Sequence, residues 1–141
     1  MTTTLTKQLI TQCLHELPKR IQEETLKAAN QCLIDCLATA YAAYGEAPIN
    51  MLRKLYIDSP TTGASTVIGY GEKARPADAA LVNGAMISLQ LFDDNQAQMR
   101  GHPSGPLLPA VLALAELKDA SIEEALTAFI IGYEVECRFG T

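Results

Sequence analysis

The sequence predicts an all-α protein, a helical bundle-like domain with one short extended segment. Apolar residues recur at three- and four-residue spacing through most of the chain. The clearest strand signal, TVIGYG at Thr66–Gly71, is too short for more than an extended piece. Near the other end, Ser121-Ile-Glu-Glu124 reads as a capping box, with a serine hydroxyl and a glutamate placed to satisfy the first free amides of a helix.

Each element follows from local chemistry. Leu5, Leu9, Ile10, Cys13, Leu14 and Leu17 make the apolar face of a first helix, which ends before Pro18 because proline disfavours helical backbone in the residue ahead of it. Pro18 suits the first turn of a second helix, with Glu23 and Glu24 near the positive end of its dipole. That helix is expected to run to about Tyr44, with Gly45 as its C′ residue. Its second half, CLIDCLATAYAAY, is apolar nearly all round, so burial is expected, with Asp35 a lone carboxylate in need of a partner. A short helix around Asn50 to Tyr56 follows, and SPTTGAS punctuates the chain ahead of the extended segment. From Pro76 to about Phe92, PADAALVNGAMISLQLF predicts a core helix, with Gly84 marking close helix packing. LLPAVLALAELK predicts another, and the last pattern, IEEALTAFIIGYEVECRFGT, is still helical at its end. That pattern leads us to expect a single helical domain over residues 1–141, the front part of something larger.

Composition narrows the function. The chain has 141 residues, 48% hydrophobic and 19% charged, enough for one folded domain and too apolar for disorder. A net charge of -5 with no basic block removes the electrostatic footprint of a nucleic-acid binder. No apolar run is long enough to span a bilayer, and MTTTLTKQLI lacks a signal-peptide pattern, so a cytoplasmic location is expected. Cys13, Cys32, Cys36 and Cys137 all fall in apolar helical pattern, where cysteine is a small buried hydrophobe, and disulfides are not expected. Cys32 and Cys36 share a helical face and offer half of a metal site, but no second pair has the spacing to complete it.

The stretch that concentrates chemistry is FDDNQAQMRGHPSGP, Phe92 to Pro106, a polar loop between two apolar helices. His102 sits between Gly101 and Pro103, where proline stiffens the backbone and glycine lets it turn. Imidazole titrates near pH 6.5, which suits a rigidly held general acid or base. The alternative is a loop histidine satisfied by backbone carbonyls. Asp93 and Asp94 suit positioning of a base, cation binding or helix capping, and capping is favoured for one of them. Arg100 offers a paired donor fork for a carboxylate, or is a solvated surface arginine. Ser104 has no histidine and acid arranged as in an esterase elbow, and GYGEKARP matches neither a dinucleotide fingerprint nor a phosphate loop.

Taken together, NG at Asn83 and Gly84, FDD at Phe92–Asp94, GHPSGPLLPAVLALAE at Gly101–Glu116 and GYEVECR at Gly132–Arg138 resemble the amino-terminal helical part of the MmgE/PrpD family. LIDCLATAYAAYG, carrying Asp35, is similar to that family's apolar helix, with Ala38 where a glycine is usual. The resemblance implies enzymes that act on small polycarboxylates without an iron-sulfur cluster: 2-methylcitrate dehydratase, cis-aconitate decarboxylase and iminodisuccinate epimerase. It further implies longer chains with a second α/β domain, usually dimeric, with no cofactor. The candidate site residues are His102, which the resemblance also supports, Asp93 and Asp94 as catalytic groups, with Arg100, Asn95 and Ser104 on the substrate. Where the family commonly reads His-x-x-Asp-Phe-Asp-Asp, this chain reads SLQLFDD, so Ser88 replaces the histidine and Leu91 the aspartate, and Asn95 stands where threonine is frequent. Three functions therefore compete: the amino-terminal portion of a lyase or isomerase of carboxylic acids, a truncated or diverged non-catalytic helical assembly or binding module, and, more weakly, a repurposed enzyme whose more apolar pocket accepts a less charged substrate.

Overall fold

The computed structural model describes residues 4–57, 63–97 and 99–139. Its helices are α1 (Leu5–Thr11), α2 (Glu23–Ala42), α3 (Ala47–Tyr56), α4 (Pro76–Ser88), α5 (Ser104–Lys118) and α6 (Ile122–Phe139), with strands β1 (Ser65–Val67) and β2 (Glu72–Ala74) between α3 and α4. The two strands pair antiparallel, Ser65 opposite Ala74 and Val67 opposite Glu72, so of the expected extended piece only Thr66 and Val67 are strand, and residues 68–71 make the turn of a small hairpin in an otherwise helical domain. Of the punctuating Ser59–Ser65 stretch, residues 59–62 lie outside the described residues.

Helix α4 is the hub, packed against α2, α3, α5 and the hairpin, while α5 also carries α6. Val82, Met86 and Ile87 of α4 are fully buried with Cys36 and Ala40 of α2, Ile49 of α3, Leu108 of α5 and Phe129 of α6. Removing a large apolar side chain from water stabilises by about 1.5–3 kcal/mol, so this cluster dominates the stability of the domain. At Gly84 α4 packs close against α5. A methyl group there would stand 3.4 Å from the Gly105 carbonyl of α5, which lacks its usual helical partner because Pro109, four residues on, has no N–H. Asn83 stitches the hub to the hairpin: its Oδ1 accepts from Ile68 N at 2.9 Å and its Nδ2 donates to Thr66 O at 2.9 Å. The capping box forms as the sequence indicates, with Ser121 N donating to Glu124 Oε2 at 2.8 Å and Glu124 N to Ser121 Oγ at 3.2 Å.

Four expectations change. Pro18 opens only a single tight turn, Pro18–Arg20, and Ile21 is extended (φ -67°, ψ 121°), so α2 starts at Glu23. Asp35 is exposed, as are Ile34 (59%) and Tyr41 (61%) on the same helix. α2 therefore buries one face, and Asp35 has water where a buried acid would need a partner. α4 stops at Ser88, since Leu91 adopts left-handed backbone (φ 55°) and breaks the helical run short of Phe92. The first helix also ends early as a regular helix: a wider π turn, Gln12–Glu16, takes over, and no residue of either segment is buried. Among the described residues, no helix is long and apolar enough to cross a membrane.

A carboxylate and histidine cradle at the start of helix α5

The loop between α4 and α5 folds back on itself. Gln96 N donates to Gly101 O at 2.9 Å, Arg100 N to Gln96 O at 2.9 Å and Met99 N to the Gln96 side chain at 2.7 Å. Arg100 takes left-handed backbone (φ 56°) at this turn. The turn returns the chain so that His102 lies beside Asp93 and Asp94 at the amino end of α5, where the unpaired amides and the helix dipole favour negative charge.

The two aspartates divide the work. Asp94 accepts from Ser104 N at 3.0 Å, Ser104 Oγ at 2.9 Å and Tyr133 Oη at 3.1 Å, tying the start of α5 to α6. This is the capping role expected of one of the pair. Asp93 is different. Its side chain is 2% exposed, and its Oδ2 accepts from Ser88 Oγ at 3.0 Å. Among the described residues its buried Oδ1 has no hydrogen-bond partner, and His102 Nδ1 stands 3.5 Å from it. Gly105 makes room for this arrangement. A methyl group on it would stand 2.7 Å from Ser88 Oγ and 2.9 Å from Asp93 Oδ2.

His102 is 44% exposed in its side chain, with Nδ1 2.9 Å from the Asp94 carbonyl oxygen. That backbone bond is the one a purely structural loop histidine would make. A carbonyl oxygen only accepts, so Nδ1 carries the proton in the neutral ring and Nε2 keeps its lone pair. The loop thus presents a half-exposed imidazole with a fixed tautomer and a carboxylate close behind it.

The surroundings stay neutral apart from the acids. Burial, and then the Asp94 charge, push the thiol of Cys32 and the phenol of Tyr133 upward. The same causes, in the same order, push Cys36 up to about 12. Arg100 and Asn95 are exposed, and among the described residues no hydrogen bond or ion pair joins either to the cradle. Ser104 is buried, with hydroxyl and amide both committed to Asp94. Leu91 and Phe92, beside the acids in sequence, are 76% and 70% exposed. Among the described residues, no group of three or more His, Cys, Asp and Glu side chains is placed to hold a metal.

Sequence reasoning missed three members of this site. Ser88 registered as a departure from a family pattern and not as the donor to Asp93. Gly105 gave a signal only through its place in SGP, and Tyr133, 39 residues from Asp94, only through its place in GYEVECR.

Comparison with known proteins agrees with this architecture. The model of the MmgE/PrpD N-terminal domain matches residues 8–141. The chain is 30% identical over 125 residues to a cis-aconitate decarboxylase of Aspergillus terreus, covering 85% of this chain and 26% of that protein. It is 28% identical over 131 residues to the cis-aconitate decarboxylase-like protein oryM of Aspergillus oryzae, covering 88% of this chain and 27% of that one. It thus spans about a quarter of the length of these curated relatives. No solved structure matches the chain. A helical domain of this make-up, matched over nearly its whole length, belongs to the MmgE/PrpD family.

Proposed function

We propose that the chain supplies the His102-bearing part of a lyase or isomerase that moves a proton next to a carboxylate of a small organic acid. Support comes from the family and from two relatives named for cis-aconitate decarboxylation. The observation that carries the reading is the anchoring of His102 Nδ1 on the Asp94 carbonyl, which leaves Nε2 unprotonated in the neutral ring of a half-exposed side chain. A general acid or base must reach its proton at about 2.6–3.2 Å, directly or through one water, and an exposed, orientationally fixed Nε2 meets that need. Arg100 and Asn95, exposed on the same loop, are the groups we assign to the substrate carboxylates. Developing negative charge on a substrate also needs several convergent donors or cations. Residues 1–141 alone should therefore show no turnover of cis-aconitate or methylcitrate.

The non-catalytic reading keeps one specific support. Leu91, 76% exposed, stands where the family pattern has an aspartate, and leucine neither accepts a proton nor orients a base. A chimera separates the two. Residues 8–141 would replace the matching segment of the Aspergillus terreus enzyme, with carbon dioxide release from cis-aconitate measured beside the parent. Activity above background supports the enzymatic reading. A chimera that melts like its parent yet releases nothing favours the module.

A further inference from the structure

Asp93 is the one buried carboxylate of the site that the reading above leaves without a task. A buried carboxylate oxygen with no partner is costly, because its hydration has been removed and nothing has replaced it. The fold nevertheless holds this oxygen firmly. Ser88 of α4 fixes the other oxygen at 3.0 Å, and the missing side chain at Gly105 gives both groups their space. The free oxygen lies 3.5 Å from His102 Nδ1, beyond hydrogen-bond length, while the same nitrogen is bonded to the Asp94 carbonyl at 2.9 Å.

We infer that Asp93 is a positioning residue for His102: the neutral ring rests its Nδ1–H on the Asp94 carbonyl, and on protonation swings that N–H onto the unpartnered oxygen of Asp93. A charge-assisted N–H···O bond is about 2.7–2.9 Å long, so the ring edge needs to travel only about 0.6–0.8 Å. The step is balanced. Nε2 takes a proton from substrate or water, the ring gains one positive charge, and the Asp93 carboxylate, already negative, receives the Nδ1–H without itself being protonated. Return of the Nε2 proton lets the ring fall back to the Asp94 carbonyl. The inference rests on the acid-base reading of His102 but claims more, since it assigns the second carboxylate and the direction in which the ring moves.

The other ionisable groups around the cradle do not compete. Ser88 from α4 and Ser104 from α5 are neutral donors. Cys32 from α2 and Tyr133 and Cys137 from α6 are each pushed upward, first by burial and then by neighbouring acids, and so stay uncharged through the range in which imidazole titrates. The Asp94 carboxylate is occupied by Ser104 and Tyr133. Glu136 of α6 is also raised, by burial first and then by Asp94. Among the described residues, Asp93 is left as the acid with an oxygen open to the ring.

Nuclear magnetic resonance tests this on the 141-residue chain without any assay of turnover. His15 and His102 are its two histidines, and exposed His15 serves as internal reference. With histidine nitrogens and aspartate carboxyls labelled, the neutral His102 ring should carry its proton on Nδ1, and the Asp93 carboxyl signal should move in step with the protonation of His102. In a folded Asp93→Asn chain the Nδ1–H signal of the protonated His102 ring should shift, because its carboxylate acceptor is gone, while that of His15 stays. An Asp93 carboxyl signal indifferent to His102 protonation overturns the inference in the unmodified protein, whether or not the variant folds. An unmoved His102 Nδ1–H signal in a folded Asp93→Asn chain overturns it as well. Either result leaves the catalytic reading of His102 standing. Conversely, a coupled pair in a protein whose chimera is inactive retains the coupling and removes the catalysis.

Discussion

At the residue scale, the site is built from residues whose roles are set by their immediate neighbours. Gly105 is the clearest case. Gly105→Ala would drive a methyl group to 2.7 Å from Ser88 Oγ and 2.9 Å from Asp93 Oδ2, and overpacking of this kind costs about 1–3 kcal/mol. Urea denaturation should show that loss. Gly84→Ala is the control. There the new methyl meets the Gly105 carbonyl at 3.4 Å while alanine gains about 1 kcal/mol of helix propensity over glycine, so the midpoint should hold or rise. Asn83→Ala should cost about 1–3 kcal/mol, because it strands the Ile68 amide and the Thr66 carbonyl of the hairpin. The sequence made His102 and the capping role of one aspartate legible, since a proline-flanked histidine and an acid ahead of a helix have local signatures. It hid which aspartate caps and which stays unpartnered, because that is decided by Ser88 and Tyr133 arriving from α4 and α6.

At the scale of elements, some helix boundaries followed residues with a local signature in backbone or side chain. Pro76 in the first turn of α4 and the capping box of α6 are examples. Boundaries failed where a residue with no such signature changed the backbone, as Leu91 does with its positive φ. The burial of α2 was overread for a related reason. A run of alanine, leucine and tyrosine reads as apolar all round, yet only the neighbours present decide which face is covered, and Asp35 and Tyr41 face water. The hairpin is held to α5 through Glu116, which accepts from the amide and hydroxyl of Thr66 and from Lys73 at 3.0 Å. Burial pushes this carboxyl up, but the Thr66 and Lys73 bonds outweigh it and the net displacement is downward from 4.5. A carboxyl lowered in the folded state adds stability above its unfolded value and loses it as pH falls through the folded one. Glu116→Gln should therefore lower the urea midpoint at pH 7 and make little difference near pH 3. Equal effects at both would show that the charge does not matter.

At the scale of the whole molecule, the helical core is complete around α4 but leaves apolar surface elsewhere. Leu5 (80%), Leu14 (65%), Leu91, Phe92 and Phe139 (75%) are exposed, and a cleft of about 370 Å³ between α2 and α6 is lined by Leu17, Ile21, Ala28, Phe129 and Ile130. Exposed apolar patches usually mark interfaces. The isolated chain should therefore self-associate at tens of micromolar, the order of magnitude at which modest interfaces form; a clean monomer by light scattering would count against this. If the family fold holds His102 as an acid or base, loss of its imidazole registers first in turnover. In a chimera that releases carbon dioxide from cis-aconitate, His102→Ala should lower kcat by about a hundredfold or more while the melting temperature holds, the usual scale for losing a general acid or base. An unchanged rate in that folded variant would contradict the account and leave the loop as a connection.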